Sequence, residues 1–141
     1  MAQLTVLRTL ETVVVRAAAG AATIVLTDPP IVRIKLEGVG YEDFVPVLTE
    51  ELDRLGAPPS LLAFDAWELS SYETGFRKLW TAWLEHNRPE TILCLLESRV
   101  VAMGIKLTNL VLGGTIQSFS SRLPFERAIE LSRTRASAHY G

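Results

Sequence analysis

The chain is poor in the residues from which most catalytic and metal sites are built. It has two histidines, His86 and His139, and a single cysteine, Cys94. One thiol forms no internal disulfide, and Cys94 sits inside the apolar run Thr91–Leu96, where a lone cysteine reads as a small hydrophobe on a buried strand. These three residues have no metal-ligand spacing. No G-x-S-x-G elbow, H-E-x-x-H or Walker A run occurs either. The reading is therefore that there are no catalytic residues, no metal site and no cofactor.

A basic excess is missing as well. Fourteen lysines and arginines stand against sixteen acidic residues, a formal net charge of −2, with both signs mixed along the chain. Nucleic-acid binding is excluded on that ground. Long apolar runs are also absent: the longest charge-free stretch, Leu107 to Ser121, is broken by Gly113-Gly114 and falls short of the 18 or so residues of a membrane helix. Arg8, Glu11 and Arg16 interrupt any signal-peptide core. The expectation is a soluble, cytoplasmic protein with no membrane span.

What is present is a single-domain length of 141 residues, 48% hydrophobic, enough to bury roughly 70% of the unfolded surface. From residue 22 onward, strand and helix signals alternate. Ala22–Thr27 and Ile31–Leu36 are β-branched runs separated by Asp28-Pro29-Pro30, a hairpin-like turn. Gly38 and Gly40 follow, then a helix over about Glu42–Leu55 with a Phe44, Leu48, Leu52, Leu55 stripe. Gly38-x-Gly40 stands where a phosphate loop would. It lacks a third glycine, however, and Glu42 and Asp43 would repel an anion, so turn geometry is the favoured reading.

Leu61–Asp65 reads as the next strand. A second helix is opened by a capping box of Ser70 and Glu73, with Phe76, Leu79, Trp80, Trp83 and Leu84 as its buried face and Glu73–Arg77 as an exposed pair. Thr91–Leu96 is a strand covered on both faces. Ser98 caps a third helix to about Leu112, Thr115–Phe119 is a short strand, and Ser121 caps a fourth helix with Pro124 in its first turn.

Residues 1–21 form an N-terminal extension read two ways. Leu4, Leu7, Leu10, Val14 and Ala17 make a helical stripe, whereas Thr12–Val15 is a β-branched run; the stripe tips the balance to helix. Residues 133–141 read as a flexible tail, leaving 22–132 as the domain. Alternating strands and helices imply right-handed βα units and a mixed, mostly parallel sheet with about four helices, in which only the opening hairpin is antiparallel.

Three passages carry a family resemblance. They are "IVRIKLEG" (Ile31–Gly38), "LLAFDAWELSSYETGFRKLW" (Leu61–Trp80) and "SRVVAMGIKLTNLVLGG" (Ser98–Gly114), the last followed by a short strand and "PFERAIE". In this element order the stretch from about Thr23 to Ile129 resembles the STAS/SpoIIAA-like superfamily, which includes small bacterial proteins described as STAS-like or SEC14-like. The resemblance implies a STAS-like α/β domain and a non-enzymatic regulatory module acting through protein–protein contact. In anti-sigma-factor antagonists of that superfamily, a serine or threonine at the start of the second helix is phosphorylated. The matching region here makes Asp65, Ser70, Ser71 and Thr74 a candidate regulatory loop. The family's Asp-Ser-Ser/Thr-Gly pattern is replaced by Ser-Ser-Tyr-Glu-Thr-Gly. Asp65 has a simpler reading, as a loop cap accepting backbone N–H groups, and the aromatics Trp67, Tyr72, Phe76, Trp80 and Trp83 read as core.

The third helix has two apolar stripes. Val100, Met103, Leu107, Leu110 and Val111 form the wider one, expected to face the sheet. The second, Val101, Ile105 and Leu112 with Gly104 and Thr108 beside it, is then either the contact with a neighbouring helix or an interface with a partner or second copy, as in a homodimer. The alternative functional reading is a pocket for a small apolar ligand, an amphiphile or lipid, near the strand carboxyl ends. The third is an enzyme.

Overall fold

The computed structural model describes residues 3–28 and 30–140. Seven strands form one sheet in sequence order: β1 (Thr5–Arg8), β2 (Thr12–Ala17), β3 (Gly20–Asp28), β4 (Ile31–Gly40), β5 (Leu61–Tyr72), β6 (Thr91–Leu96) and β7 (Ile116–Phe119). The helices are α1 (Phe44–Asp53), α2 (Thr74–Asn87), α3 (Arg99–Leu112) and α4 (Arg122–Tyr140). The sheet is mixed. β1 to β4 pair antiparallel, and β4–β5, β5–β6 and β6–β7 pair parallel.

The antiparallel wing is larger than one hairpin because residues 5–17 form two strands rather than a helix. In β2, Val13 and Val15 point into the core while Thr12, Val14 and Arg16 face the other way. That period of two suits the stiff β-branched side chains. Helical burial of Leu7 and Leu10 never materialises: both are exposed. Pairing with β3, from Thr12 opposite Val25 to Ala17 opposite Gly20, satisfies the backbone that a lone helix would have satisfied internally.

β4 to β7 run parallel and advance in one direction across the sheet, and α1, α2 and α3 between them fall on one face of it, as crossovers of one hand require. Phe44, Leu48 and Leu52 of α1, Phe76, Trp80 and Leu84 of α2, and Val101 and Leu112 of α3 pack there against Val13, Ile24, Ile34, Leu62 and Cys94. The fourth helix takes the opposite face. Phe125 and Ile129 of α4 meet Ile31, Leu61, Ala63, Leu93 and Leu95. The helix runs on to Tyr140, through the segment expected to be loose. Among the described residues, no helix is long and apolar enough to cross a membrane.

Several caps follow the sequence signals. The Ser98 hydroxyl accepts from the Val101 N–H (3.4 Å), Arg88 ends α2 in the left-handed conformation, and Gly113 ends α3 likewise. The opening of α2 departs from expectation. β5 continues to Tyr72 alongside β4, past the end of β6 pairing at Ala66–Leu96, so Ser70 is a strand residue whose Oγ donates to the Gly38 carbonyl (3.0 Å). The N-cap is Glu73, whose carboxylate accepts from the Glu42 N–H (2.7 Å) and ties the start of α2 to the start of α1. The expected capping box and Glu73–Arg77 pair are thus replaced. Leu79, expected in the core, is 39% exposed.

Candidate functional site

Asp65 lies within β5, opposite Lys35 of β4 and Leu95 of β6, on the face that α4 covers. Its carboxylate is largely buried and accepts two hydrogen bonds from the Arg122 guanidinium (Nη1 to Oδ2 2.9 Å, Nη2 to Oδ1 3.3 Å) and one from the Trp67 N–H (3.3 Å). Arg122 also lies 3.7 Å from Glu126, which receives a two-pronged contact from Arg33 of β4. The hydrogen bond to Asp65 raises the Arg122 pKa above its ordinary value, against a smaller lowering by burial. The arrangement is a clamp: two arginine–carboxylate pairs fasten the first turns of α4 to the centre of the sheet. Fork-to-fork pairing fixes orientation as well as position.

The expected regulatory loop is dispersed by this geometry. Asp65 points toward α4, Ser70 and Ser71 belong to the β5 extension, and Thr74 is the first residue of α2. Of the three hydroxyl residues, exposed Thr74 alone stands at a helix N-terminus.

α3 is rotated relative to expectation. Val101, Gly104, Thr108 and Leu112 are buried and Ile105 is half-buried. The wider stripe faces solvent, with exposures of 58% at Val100, 66% at Met103, 46% at Leu107, 79% at Leu110 and 49% at Val111. The small residues explain the choice. The Tyr72 hydroxyl fills the space over Gly104, where a Cβ would lie 2.2 Å from it, and the Thr108 hydroxyl shares a 2.8 Å hydrogen bond with Thr81 of α2. The five residues read as a possible external interface are therefore the inward side of the helix, and their close neighbours belong to the same chain.

Between the sheet and α2–α3 lies an apolar cavity of about 60 Å³, floored by Phe64, Ala66 and Cys94 and walled by Trp80, Val101 and Gly104. A wider groove separates α1 from α2, with His86 and Trp83 on its wall and the Trp83 indole donating to Asp53 (3.1 Å). The aromatics divide accordingly. Phe76 and Trp80 are core, Trp83 is a groove residue, and Trp67 packs on the α4 side.

Cys94 is 1% exposed, and burial pushes its thiol from 9.0 up to about 12. A thiol-reactive probe at pH 8 is expected to leave the native protein unlabelled and to react fully once denaturant opens the core. Because the folded-state value is the higher one, this group's contribution to stability is intact below about pH 9 and declines as the pH rises from about 9 toward 12. Rapid labelling of the native protein would show that the sheet–helix interior admits reagent. Among the described residues, no three His, Cys, Asp or Glu side chains are grouped to hold a metal ion.

A mixed sheet with three crossover helices on one face and a terminal helix on the other defines the STAS-like α/β fold. The crystal structure of an anti-sigma factor antagonist from Mycobacterium paratuberculosis is similar to 77% of this chain and 94% of its own, with a TM-score of 0.57 and 15% sequence identity. At that identity the likeness is one of fold. No protein-family model matches the sequence, and no curated protein matches it.

Proposed function

We propose that this protein is a non-enzymatic regulatory module that works by protein–protein contact, with the outer stripe of α3 as its docking face. The observation that carries the reading is the row of five exposed apolar side chains, Val100, Met103, Leu107, Leu110 and Val111. One exposed leucine is ordinary, but a continuous row along a four-turn helix is the kind of patch that marks an interaction surface. The only charges on α3 are Arg99 and Lys106, so a partner segment with an apolar centre and acidic flanks complements it. The shared fold with an anti-sigma factor antagonist supports a regulatory role. A cytoplasmic site of action belongs to the same reading, supported by the single buried thiol. The control-loop element of the reading narrows to Thr74, the exposed hydroxyl at the start of α2.

The test is site-specific photo-crosslinking in the native host from position 110, with exposed Gly56 as control. A protein captured from position 110 alone should then bind the purified wild type. Leu107→Glu with Leu110→Glu should weaken that binding at least 30-fold while leaving the circular dichroism spectrum unchanged. Equal capture from both positions, or binding indifferent to the two charges, would remove α3 as the docking face. A dimer that Leu110→Glu dissociates in sedimentation would instead identify a second copy as the occupant.

A further inference from the structure

The seven-stranded sheet ends in two edges that differ in what they leave open. At β7, the Asn109 side chain of α3 accepts from the Ile116 N–H (2.8 Å) and donates to the Ile116 carbonyl (3.4 Å), so part of that edge is already occupied. β1 is the other outer strand, and all four of its residues are exposed. Hydrogen bonds at its turn fix which main-chain groups point outward. The Thr9 N–H donates to the Thr12 carbonyl (2.9 Å), and on the far side of β2 the Leu26 N–H donates to the Glu11 carbonyl (2.7 Å). Thr12 therefore turns its main-chain groups toward β1, and antiparallel bonding alternates from there. Thr5 and Leu7 bond to β2, opposite Arg16 and Val14, while Val6 and Arg8 present their N–H and C=O groups to the free edge. The usual protections of an edge are missing from β1: it has no lysine or proline, and it pairs with β2 without a bulge. Its one charge, Arg8, is turned to Glu51 of α1 in the same chain. Val6 is 37% and Leu7 57% exposed, so each face of the strand carries an uncovered apolar side chain.

We propose that β1 pairs antiparallel with β1 of a second copy of this chain, joining two sheets edge to edge across a two-fold axis. The segment that fits this edge has an apolar residue on each face and its single charge at one end, and β1 is itself such a segment. The register follows from the pleat and from charge. Residues paired across the axis share a face of the sheet, so one residue of the strand must meet its own copy. Centred on Val6, the register pairs Val6 with Val6 of the second copy and Arg8 with Leu4, the next residue in the outward alternation. It sets the two Arg8 side chains about 14 Å apart along the strand. Centred on Leu7, it would bring the two arginines to about 7 Å and lose its end pairs to the turn after Thr9. The first register wins on both counts. On the helix face the two Val6 side chains then cover one another, and on the open face Leu7 lies diagonal to its own copy and beside Val14. So short a pairing is a small interface, and the dimer is weak, with a Kd on the order of 0.1 mM. The α3 stripe lies toward the other end of the sheet, so the two surfaces are independent.

The experiment is sedimentation equilibrium of the purified protein up to millimolar concentration, with amide NMR across the same dilution series. The wild type should show a monomer–dimer equilibrium, and the Val6 and Arg8 amide signals should shift with it. Val6→Pro removes an N–H that β2 does not use, and should weaken dimerisation roughly tenfold or more with the circular dichroism spectrum unchanged. If that variant disturbs the fold, Val6→Lys, which sets two ammonium groups opposite one another, takes its place. Leu110→Glu should leave this dimer intact, which separates the β1 edge from the α3 docking face. Val6→Cys should form an intermolecular disulfide under mild oxidation, with buried Cys94 out of reach, whereas Leu10→Cys, exposed but beyond the pairing, should not. A monomer at millimolar concentration would overturn the proposal, as would a dimer that Leu110→Glu dissociates. Dimerisation unaffected by the Val6 variants, or equal cross-linking from positions 6 and 10, would overturn it too.

Discussion

Phe125→Ala is expected to lower stability by about 3–5 kcal/mol, the range for truncating a buried phenylalanine. Phe125 is fully buried and stacks edge-on with Phe119 of β7 at 5.9 Å. It belongs to the smaller of the two cores, where, among the described residues, Phe125 and Ile129 are the buried apolar side chains of α4 and together cover Ile31, Leu61, Leu93 and Leu95. Losing one of two anchors leaves strand residues that the partly buried Trp67, Phe119 and Ala128 cover only in part. The Asp65–Arg122 and Arg33–Glu126 pairs hold α4 in register, but partly exposed ion pairs contribute little net stability. Urea unfolding should show a midpoint lowered by roughly 2 M for a protein of this size. A loss under about 1 kcal/mol would mean that α4 packs on the sheet only loosely.

Gly38→Ala is expected to cost more than a left-handed alanine alone, which is about 1–2 kcal/mol. Gly38 has φ +70°, and a Cβ there would lie 2.1 Å from the backbone carbonyl oxygen of Ala19. The obstacle is backbone, so no side-chain rotation relieves it. Gly38 pairs with Gly20 where the turn between β2 and β3 crosses a bulge in β4, and the Val39 N–H donates to that same Ala19 carbonyl (2.9 Å). Gly56 is the internal comparison: its φ is +82°, yet nothing lies within 4 Å of a Cβ placed there. Thermal unfolding of Gly38→Ala and Gly56→Ala should therefore differ clearly, with the Gly38 variant far less stable. Equal losses would show that backbone crowding at the β2–β3 turn is relieved by local movement.

The helices after residue 40 and the parallel wing were legible because their signals are local. The Phe44–Leu48–Leu52 stripe, the Ser98 cap, Gly113 and the apolar run Thr91–Leu96 each act within a few residues, and the structure places them as read. The order of these elements implied a mixed, mostly parallel sheet, and together with the three passages that carry the family resemblance it implied the STAS-like architecture. The start of α2 misled because Ser70 and Glu73 satisfy a capping pattern on paper, while β4 offered Ser70 a strand to pair beside and Glu42 offered Glu73 an N–H.

The candidate site shows the division most plainly. The sequence by itself determined that α3 is a helix with more apolar surface than one contact requires, and that Gly104 and Thr108 allow something to approach closely. Only the tertiary structure decided that the close neighbours are Tyr72 and Thr81, so the small-residue side turns inward and the bulkier stripe faces out. Counting apolar residues favours the opposite rotation; the distance of closest approach overrules it. The same holds for Asp65, whose partner Arg122 is 57 residues away. It holds too for residues 5–17, where β-branched and helical patterns overlap and the free edge of β3 settles the outcome. Local chemistry fixes which elements form; which face each one buries is fixed by the neighbour whose shape it fits.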